Sequence, residues 1–356
     1  CGSLAVGAML DSHVILAWKQ GSTPYIGHLR VCPVDVEEFE FDCGADFPVR
    51  ADWGVVSVAV LSSEMVVFAY SDRQKGERGE LVRCDVASLA TVSCDLAHVF
   101  EQEPVQTLTV AALADGHLAY ALTPKPAKDL ILAYEVEIGG QKVGRLVPCE
   151  VKQVLGLPKV MCERRSILPF SDGPSKGVQL LALSQQVFAV GFNDLQQSCV
   201  EPTLWNLQQP VSVRRRRALD VCVLADGHPS VARARICHAT FRGLGISIPI
   251  LVCGEPTVLD DGPETGLPML AKSIADNTAF IAAYACNGCQ DLASRGLVRL
   301  CQISALPEEG ETPAAPTCEA VVAVNNASTP FMSAAAASTG YVVAYDDYGE
   351  TRTGAA

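Results

Sequence analysis

Along the chain, short apolar runs of Val, Leu, Ala and Ile are broken about every ten residues by Gly, Pro, Asp or Ser, and helical spacing is scarce. The pattern predicts many short strands. Its clearest form is an apolar strand, a tight turn, and a second apolar strand ending in Ala and an aromatic. Residues 5–18 (AVGAMLDSHVILAW) and 56–70 (VSVAVLSSEMVVFAY) show it well. So do residues 109–120 (TVAALADGHLAY), 178–191 (VQLLALSQQVFAVG), 270–284 (LAKSIADNTAFIAAY) and 332–345 (MSAAAASTGYVVAY), and residues 218–233 (ALDVCVLADGHPSVAR) are a weaker copy. These are seven copies with a period of about 50 to 55 residues, the range of propeller blades.

The second half of the unit repeats as well. A variable loop leads to a strand with Cys and then another strand with Cys, as in HLRVCPV then FEFDCG, or ELVRCDV then TVSCDL. Four strands per repeat, seven times over, predict an all-β fold: a seven-bladed β-propeller with four-stranded antiparallel blades and intra-blade disulfides. The expected single domain covers 1–356, with blades at 3–50, 51–104, 105–162, 163–217, 218–262, 263–327 and 328–356, the last completed by the N-terminal strand. Separate small sandwiches are the alternative, but a repeat this short cannot bury a core alone.

Turns between the first two strands are tight, at Asp11-Ser12, Ser62-Ser63-Glu64, Asp115-Gly116, Asp226-Gly227 and Ser338-Thr339-Gly340. The loops after the second strand are longer and irregular, at residues 19–27, 71–79, 123–128, 192–198 and 285–296. The links between blades, such as 163–176 and 254–266, are long too. In a propeller both sets emerge on one face, which reads either as a functional face or as connecting loops that simply tolerate change.

Fifteen cysteines change the picture, because a reducing cytosol has little use for so many thiols without metal. Two cysteines on neighbouring strands of one blade meet across the ladder. The rule pairs Cys32 with Cys43, Cys84 with Cys94, Cys237 with Cys253, and Cys301 with Cys318. It extends to Cys149 with Cys162 and Cys199 with Cys222, where blades four and five depart from the pattern. Cys286 and Cys289 share one loop and are expected to pair locally. Cys1 is left over, and is expected to be unpaired or intermolecular, or to bond a continuation of this chain. The composition reads as secreted, and the sequon Asn326-Ala327-Ser328 makes Asn326 a candidate glycosylation site.

The 356 residues carry 27 Lys and Arg against 40 Asp and Glu, a net charge of −13 that repels phosphate backbones and excludes nucleic acid as a partner. With 49% hydrophobic and 19% charged residues, the chain is ordered. Its most apolar stretch, 55–70, is interrupted at Ser62, Ser63 and Glu64 and reads as two strands rather than a membrane span.

Candidate chemistry is sparse. Cys286-Asn287-Gly288-Cys289 is a C-x-x-C with no helix after it, so it reads as a staple rather than a redox site. His13, His117 and His228 each sit at their own blade's turn and read as turn residues, not metal ligands. The doublets Asp260-Asp261, Asp346-Asp347 and Glu37-Glu38 point to opposite faces of a strand, so alone they do not make a glycosidase pair. Asp346, Asp347 and Glu350 form an oxygen-rich loop, but no D-x-D-x-D-G calcium loop is present. Arg214, Arg215, Arg216 and Arg217 read first as a charge-guarded edge strand, with a protease processing site or an anionic glycan contact as the alternatives. No cofactor, catalytic or metal residue is assigned.

The unit V-V-A-Y-x-D … G … x-C-x-V … V-x-C, best carried by residues 66–94 and 342–354, resembles tandem repeats found in secreted proteins of algae and other protists. The resemblance covers nearly the whole chain, departs most in blades four and five, and implies an extracellular, repetitive, surface-associated protein. The expected role is non-enzymatic: a structural or adhesive scaffold or binding module, with other extracellular proteins or copies of itself as partners. The alternative is a glycan-binding lectin or glycan-active enzyme using the long-loop face.

Overall fold

The computed structural model describes residues 4–9, 13–19, 26–35, 40–41, 43–88, 91–113, 129–139, 141–154, 157–171, 173–195, 198–199, 222–223, 230–241, 248–260, 264–273, 276–287, 295–308, 311–325, 332–337, 340–347 and 353–355. They form antiparallel β-structure built from successive four-stranded units, joined in the first three units into one hydrogen-bonded path of strands. The joining has a simple cause. Phe47–Ser62 closes the first unit on Ile26–Asp35 and then, past a break in register, opens the second unit on Met65–Asp72. His98–Leu113 does the same between the second unit, on Arg78–Ser88, and the third, on Asp129–Ile138.

The first unit begins with Leu4–Met9, His13–Lys19 and Ile26–Asp35. The tight turn expected in residues 55–70 is present, with Ser62 opposite Met65. Five units share one detail that spacing alone does not reveal. The fourth strand comes in two pieces, broken just after its cysteine, and both pieces pair with the third strand. In the second unit these pieces are Thr91–Cys94 and the start of His98–Leu113.

Two expectations change. In the third unit the second strand is Asp129–Ile138, starting opposite Leu113, not the His117-Leu118-Ala119-Tyr120 copy. The chain carries two Leu-Ala-Tyr sequences in this stretch, and the strand uses Leu132-Ala133-Tyr134. The expected Asp115-Gly116 turn lies outside the described residues.

In the fourth unit, Val187–Leu195 pairs with Ser230–Thr240, which in turn pairs with Ile250–Cys253 and Thr257–Asp260. The segment expected to be a fifth blade at 218–262 therefore supplies the third and fourth strands of the unit begun by Ser175–Ala182. Within the weak copy at 218–233, Cys222–Val223 pairs with Ser198–Cys199 and not with Ser230–Thr240. The copy's Val231 and Ala232 are buried in the ladder with Val187–Leu195 instead. The described strands then give five four-stranded units, the fifth from Met269–Lys272, Ala279–Asn287, Arg295–Gln302, Thr317–Cys318 and Val322–Asn325. A three-stranded sixth follows: Met332–Ala337, Gly340–Asp347 and Thr353–Ala355.

Alternation along each strand sends residues to opposite faces, and both faces are apolar because each unit packs between neighbours. Cores lie between the first and second units (Ile15, Ala17, Val66, Phe68, Tyr70), the second and third (Val67, Ala69, Leu130, Leu132, Tyr134), the third and fourth (Ile131, Ala133, Phe188, Val190, Phe192), and the fourth and fifth (Ala189, Phe280, Ala282, Tyr284). Met332–Ala337 packs on Met269–Lys272 and Ala279–Asn287, stacking the sixth unit on the fifth.

Five disulfides, Cys32–Cys43, Cys84–Cys94, Cys149–Cys162, Cys237–Cys253 and Cys301–Cys318, join third and fourth strands, the pairs that the repeat register predicts. Their Cα atoms are 4.0–4.1 Å apart, the close spacing of a non-hydrogen-bonded antiparallel pair. The flanking hydrogen bond of such a pair recurs in all five: the residue after the second cysteine donates its N–H to the carbonyl before the first, as from Asp95 to Arg83 at 2.9 Å. Cys199 and Cys222 are register partners in a short hairpin within the 196–229 insertion, outside the blade strands expected for them. Cys286 is disulfide-bonded. Cys1, Cys289, Asn326 and the four arginines lie outside the described residues. The disulfides fit an oxidising compartment. Among the described residues, no helix is long and apolar enough to cross a membrane.

Candidate functional site

The second strand of each unit carries an aromatic at its sixth residue: Trp18, Tyr70, Tyr134, Phe192, Tyr284 and Tyr345. Opposite it in the first four units, four residues before the first cysteine, stand His28, Glu80, Arg145 and Arg233. Polar chemistry therefore gathers at one end of the stack, where the second strand ends and the third begins. The expected loops 19–27, 71–79, 192–198 and 285–296 follow second strands at this end, but 123–128 does not: the third unit's second strand is Asp129–Ile138, and its Ile138 pairs with Gln141 across a tight turn.

In the second unit, Glu80 is buried and accepts hydrogen bonds from Tyr70 Oη (2.9 Å), Lys75 Nζ (3.0 Å) and Arg78 Nη2 (2.6 Å). Lys75 also bridges to Asp72 at 2.7 Å. Asp72 caps the short 3-10 turn Arg73–Lys75 by accepting from Gln74 N, and Gly76 ends that turn with φ +74°. The turn places the Lys75 ammonium over Glu80. Burial by itself would raise the Glu80 carboxyl, but hydrogen bonds from Lys75, Arg78 and Tyr70 outweigh it and hold the group below the usual carboxylate range. Burial, reinforced by the neighbouring Glu80 charge, pushes the Tyr70 phenol far above its ordinary value.

Between the second and third units, Glu101 Oε2 accepts from Tyr134 Oη (3.1 Å) and Arg145 Nη1 (2.6 Å). Tyr134 is held high by burial first and by Glu101 second. The theme returns at the fifth unit, where burial and then Asp260 raise Tyr284, and Tyr284 Oη donates to the Leu259 carbonyl at 3.0 Å. A carboxylate from the fourth strand of one unit thus reaches the tyrosine of the next.

Apolar contacts support these polar ones. Trp53 stacks on Tyr70 (5.4 Å), Phe100 meets Tyr134 edge-on (5.0 Å), and Phe170 meets Phe192 (5.3 Å). Each donor ring lies over a glycine five residues before the first cysteine of its own unit. A Cβ added to Gly27, Gly79 or Gly144 would meet Trp53, Phe100 or Phe170 at 2.2, 2.3 and 2.3 Å. The fourth unit has Ala232 at this position and Leu259 in place of the ring.

No protein-family model matches this chain, and neither does any curated protein.

The function therefore rests on geometry. Two grooves flank the exposed Leu96, in the break of the second unit's fourth strand. One, of about 650 Å3, runs between the hairpins of the second and third units, with His98, Leu157 and Met161 among its lining. Arg83 lies beneath it, bridging Asp85, Asp95 (3.2 Å) and the Pro158 carbonyl (2.9 Å). The other, of about 460 Å3, lies between the first and second units and reaches Tyr70, Lys75 and Glu80. Burial and then the Arg164 charge lower the His98 imidazole.

Chemically, Glu80 and Glu101 are committed to internal cations and phenols. Tyr70, Tyr134 and Tyr284 stay protonated donors at neutral pH. Glu135, fully buried, accepts from Thr107 Oγ1 at 2.7 Å and leaves Oε1 without a hydrogen bond. The expected candidates fall elsewhere. His13 begins a strand opposite Met9 and Pro33, while His117 and His228 lie outside the described residues. Asp260 sits near Tyr284 with Asp261 outside the description, and the backbones of Asp346 and Asp347 pair with Gly354 and Thr353. Among the described residues, no group of three or more His, Cys, Asp or Glu is placed to hold a metal ion.

Sequence reasoning missed the tyrosine–carboxylate links. The signal for half of each link was available, in the Ala-aromatic strand ending and the charged residue four before a cysteine. The carboxylate half was not, because Glu101 comes from the neighbouring unit.

Proposed function

We propose that the stacked units are blades of a β-propeller-type fold, and that the protein is a secreted, non-enzymatic structural or adhesive module of an extracellular or cell-surface assembly. The observation that carries this reading is the five-fold repetition of a cystine across the outer hairpin, each with the same flanking hydrogen bond. A fold stapled in every complete unit resists unfolding outside cells, where no reductant or chaperone repairs it. The polar end of the stack supports it too, since Glu101 and Asp260 act as inter-unit fasteners. The resemblance to secreted tandem repeats points to the same setting.

Immunogold labelling of the cells that make the protein tests the reading. Label concentrated in an extracellular layer, retained after a salt wash, is expected. Dispersed soluble protein that cleaves or selectively binds glycans in a glycan panel would replace this reading with the lectin or glycan-enzyme alternative.

A further inference from the structure

The residue after the aromatic of the second strand occupies one repeated place in the first four units. It is Lys19, Ser71, Glu135 and Asn193, paired with Gly27, Gly79, Gly144 and Ala232. All four are buried. Ser71 Oγ accepts from Val55 N at 3.1 Å, and Asn193 Nδ2 donates to the Thr265 carbonyl at 2.9 Å. In the second and fourth units a neutral side chain here thus ties down backbone. The third unit has a carboxylate instead. Glu135 is fully buried, Thr107 Oγ1 donates to its Oε2 at 2.7 Å, and no hydrogen bond reaches Oε1.

Glu135 points toward the fourth unit. It alternates with Ile131 and Ala133, which share one core with Phe188, Val190 and Phe192 of that unit. Its strand partner Gly144 lies under Phe170, and Phe170 meets Phe192 at 5.3 Å. Asp194, two residues after Phe192 in an unbroken ladder, shares the face of Phe192 and points back toward the third unit. Ser175 is the strand partner of Asp194 and points the same way. As Phe192 sits in one core with Ala133, the next step along both strands brings Asp194 and Ser175 to Glu135. Ser175 is fully buried, and its Oγ has no hydrogen-bond partner among the described residues. Asp194 bridges to Arg233 at 2.9 Å. The place is a seam of the molecule: the first three units form one hydrogen-bonded sheet, and the fourth and fifth another.

We propose that this seam holds a hard cation, calcium in an extracellular setting, with Glu135 Oε1, Ser175 Oγ and the Asp194 carboxylate as its protein ligands. Thr107 holds the Glu135 carboxylate through the other oxygen. A buried carboxylate oxygen without a donor and a buried hydroxyl without a partner are both costly, and one cation serves both. Donors that are all oxygen select a hard ion. Calcium accepts irregular coordination by six to eight oxygens, which backbone carbonyls and water complete, whereas magnesium demands a near-ideal octahedron. With two carboxylates and a hydroxyl, the site differs from a cluster of three or more His, Cys, Asp or Glu, of which the described residues have none. The ion fastens the third unit to the fourth, where no strand runs from one sheet into the other. The choice of calcium rests on the extracellular reading; the oxygen site does not.

Calcium titration of the purified full chain after chelator treatment tests this, by calorimetry and by thermal melts with and without about 10 mM calcium. Wild type is expected to bind one calcium with a Kd of about 0.1–1 mM, the range of extracellular modules, and to melt about 1–3 °C higher with it. Glu135→Gln keeps an oxygen for Thr107 but removes the charge, and should bind at least about tenfold more weakly and lose the calcium-dependent rise. Ser175→Ala removes a neutral ligand with little change of volume and should bind about threefold more weakly; it keeps the test open if Glu135→Gln does not fold. Wild type that takes up no calcium at about 10 mM overturns the proposal. Equal binding by wild type and either folded variant overturns it too, because the calcium then sits elsewhere on a chain of net charge −13. Calcium binding is read on purified protein and the labelling above on cells, so either result can fail while the other stands.

Discussion

Phe100 packs against Gly79, so close that a Cβ on Gly79 would come within 2.3 Å of the ring. The ring then meets Tyr134 of the next unit at 5.0 Å. The glycine is thus a packing requirement, since it lets a ring sit between two units. Gly79→Ala gains about 0.5–1 kcal/mol of backbone entropy in a strand but overpacks the ring at about 1–3 kcal/mol. The overlap is with a ring clamped on both sides, so overpacking wins and the denaturant midpoint falls. Phe100→Leu in the same chain should recover part of the loss, because Ala232 with Leu259 is the pairing that the fourth unit uses. A double-mutant cycle by guanidinium unfolding checks this, with a favourable coupling of about 1 kcal/mol or more expected.

Glu101 joins two units through Tyr134 and Arg145. Charge-assisted hydrogen bonds contribute about 1.5–3 kcal/mol where they are shielded from water. Arg145 is 24% exposed and Glu101 10%, so the lower part of that range applies. Glu101→Gln should cost about 1.5 kcal/mol by thermal unfolding, and Tyr134→Phe about 1 kcal/mol. The two losses should not add, since both variants open the same inter-unit link.

Much of this was legible in the sequence, for physical reasons. A cystine across a hairpin fixes two residues to one register position, so Cys84 and Cys94 locate third and fourth strands without ambiguity. The tight turn at Ser63 and Glu64 follows from two apolar runs with no room for anything else. What misled was local similarity without long-range pairing. His117-Leu118-Ala119-Tyr120 looks as much like a second strand as Leu132-Ala133-Tyr134 does, and only the partner strand Gln141–Val154 chooses between them. Likewise Val231 and Ala232 look like the end of a first hairpin, yet they lie in a third strand beyond a long insertion. The Glu101 link could not be read at all, because it depends on which units are neighbours.

The ionisable groups set both limbs of the pH–stability curve. Glu80 is held below its ordinary 4.5, so on acidification the unfolded chain takes up the proton first. Its contribution is complete above about pH 4.5 and is lost as pH falls through the folded value. Tyr70, Tyr134 and Tyr284 are held above their ordinary 10.0, so above pH 10 the unfolded chain loses protons that the folded chain keeps, and stability falls as pH rises. Thermal melts across pH should show a plateau between these limbs. Glu80→Gln should flatten the acid limb and lower the plateau, because Lys75 and Arg78 then lose the carboxylate charge they share, and an amide has one accepting oxygen where Glu80 has two. An acid limb of unchanged slope would assign it to other carboxylates.

Cys84 and Cys94 close a loop with a sequence separation of 10 in the hairpin that also carries the exposed Leu96. Chain-entropy arguments give such a short loop about 2–3 kcal/mol. Cys84 is fully buried against the first unit, so replacing it by Ser places a hydroxyl in an apolar core, and Cys84→Ala with Cys94→Ala is the cleaner pair. The expected cost is about 2–3 kcal/mol. It falls on the hairpin first, because Asp95 N to Arg83 O is the hydrogen bond next to the cystine. Loss of that bond frees the segment that lines both grooves and loosens Asp95 from Arg83. Limited proteolysis of the double variant should therefore cut within residues 85–97 well before the rest of the chain unfolds, while the wild type resists at this site until the protein is reduced. Cleavage appearing first in another unit would show that this hairpin is held by its packing rather than by its cystine.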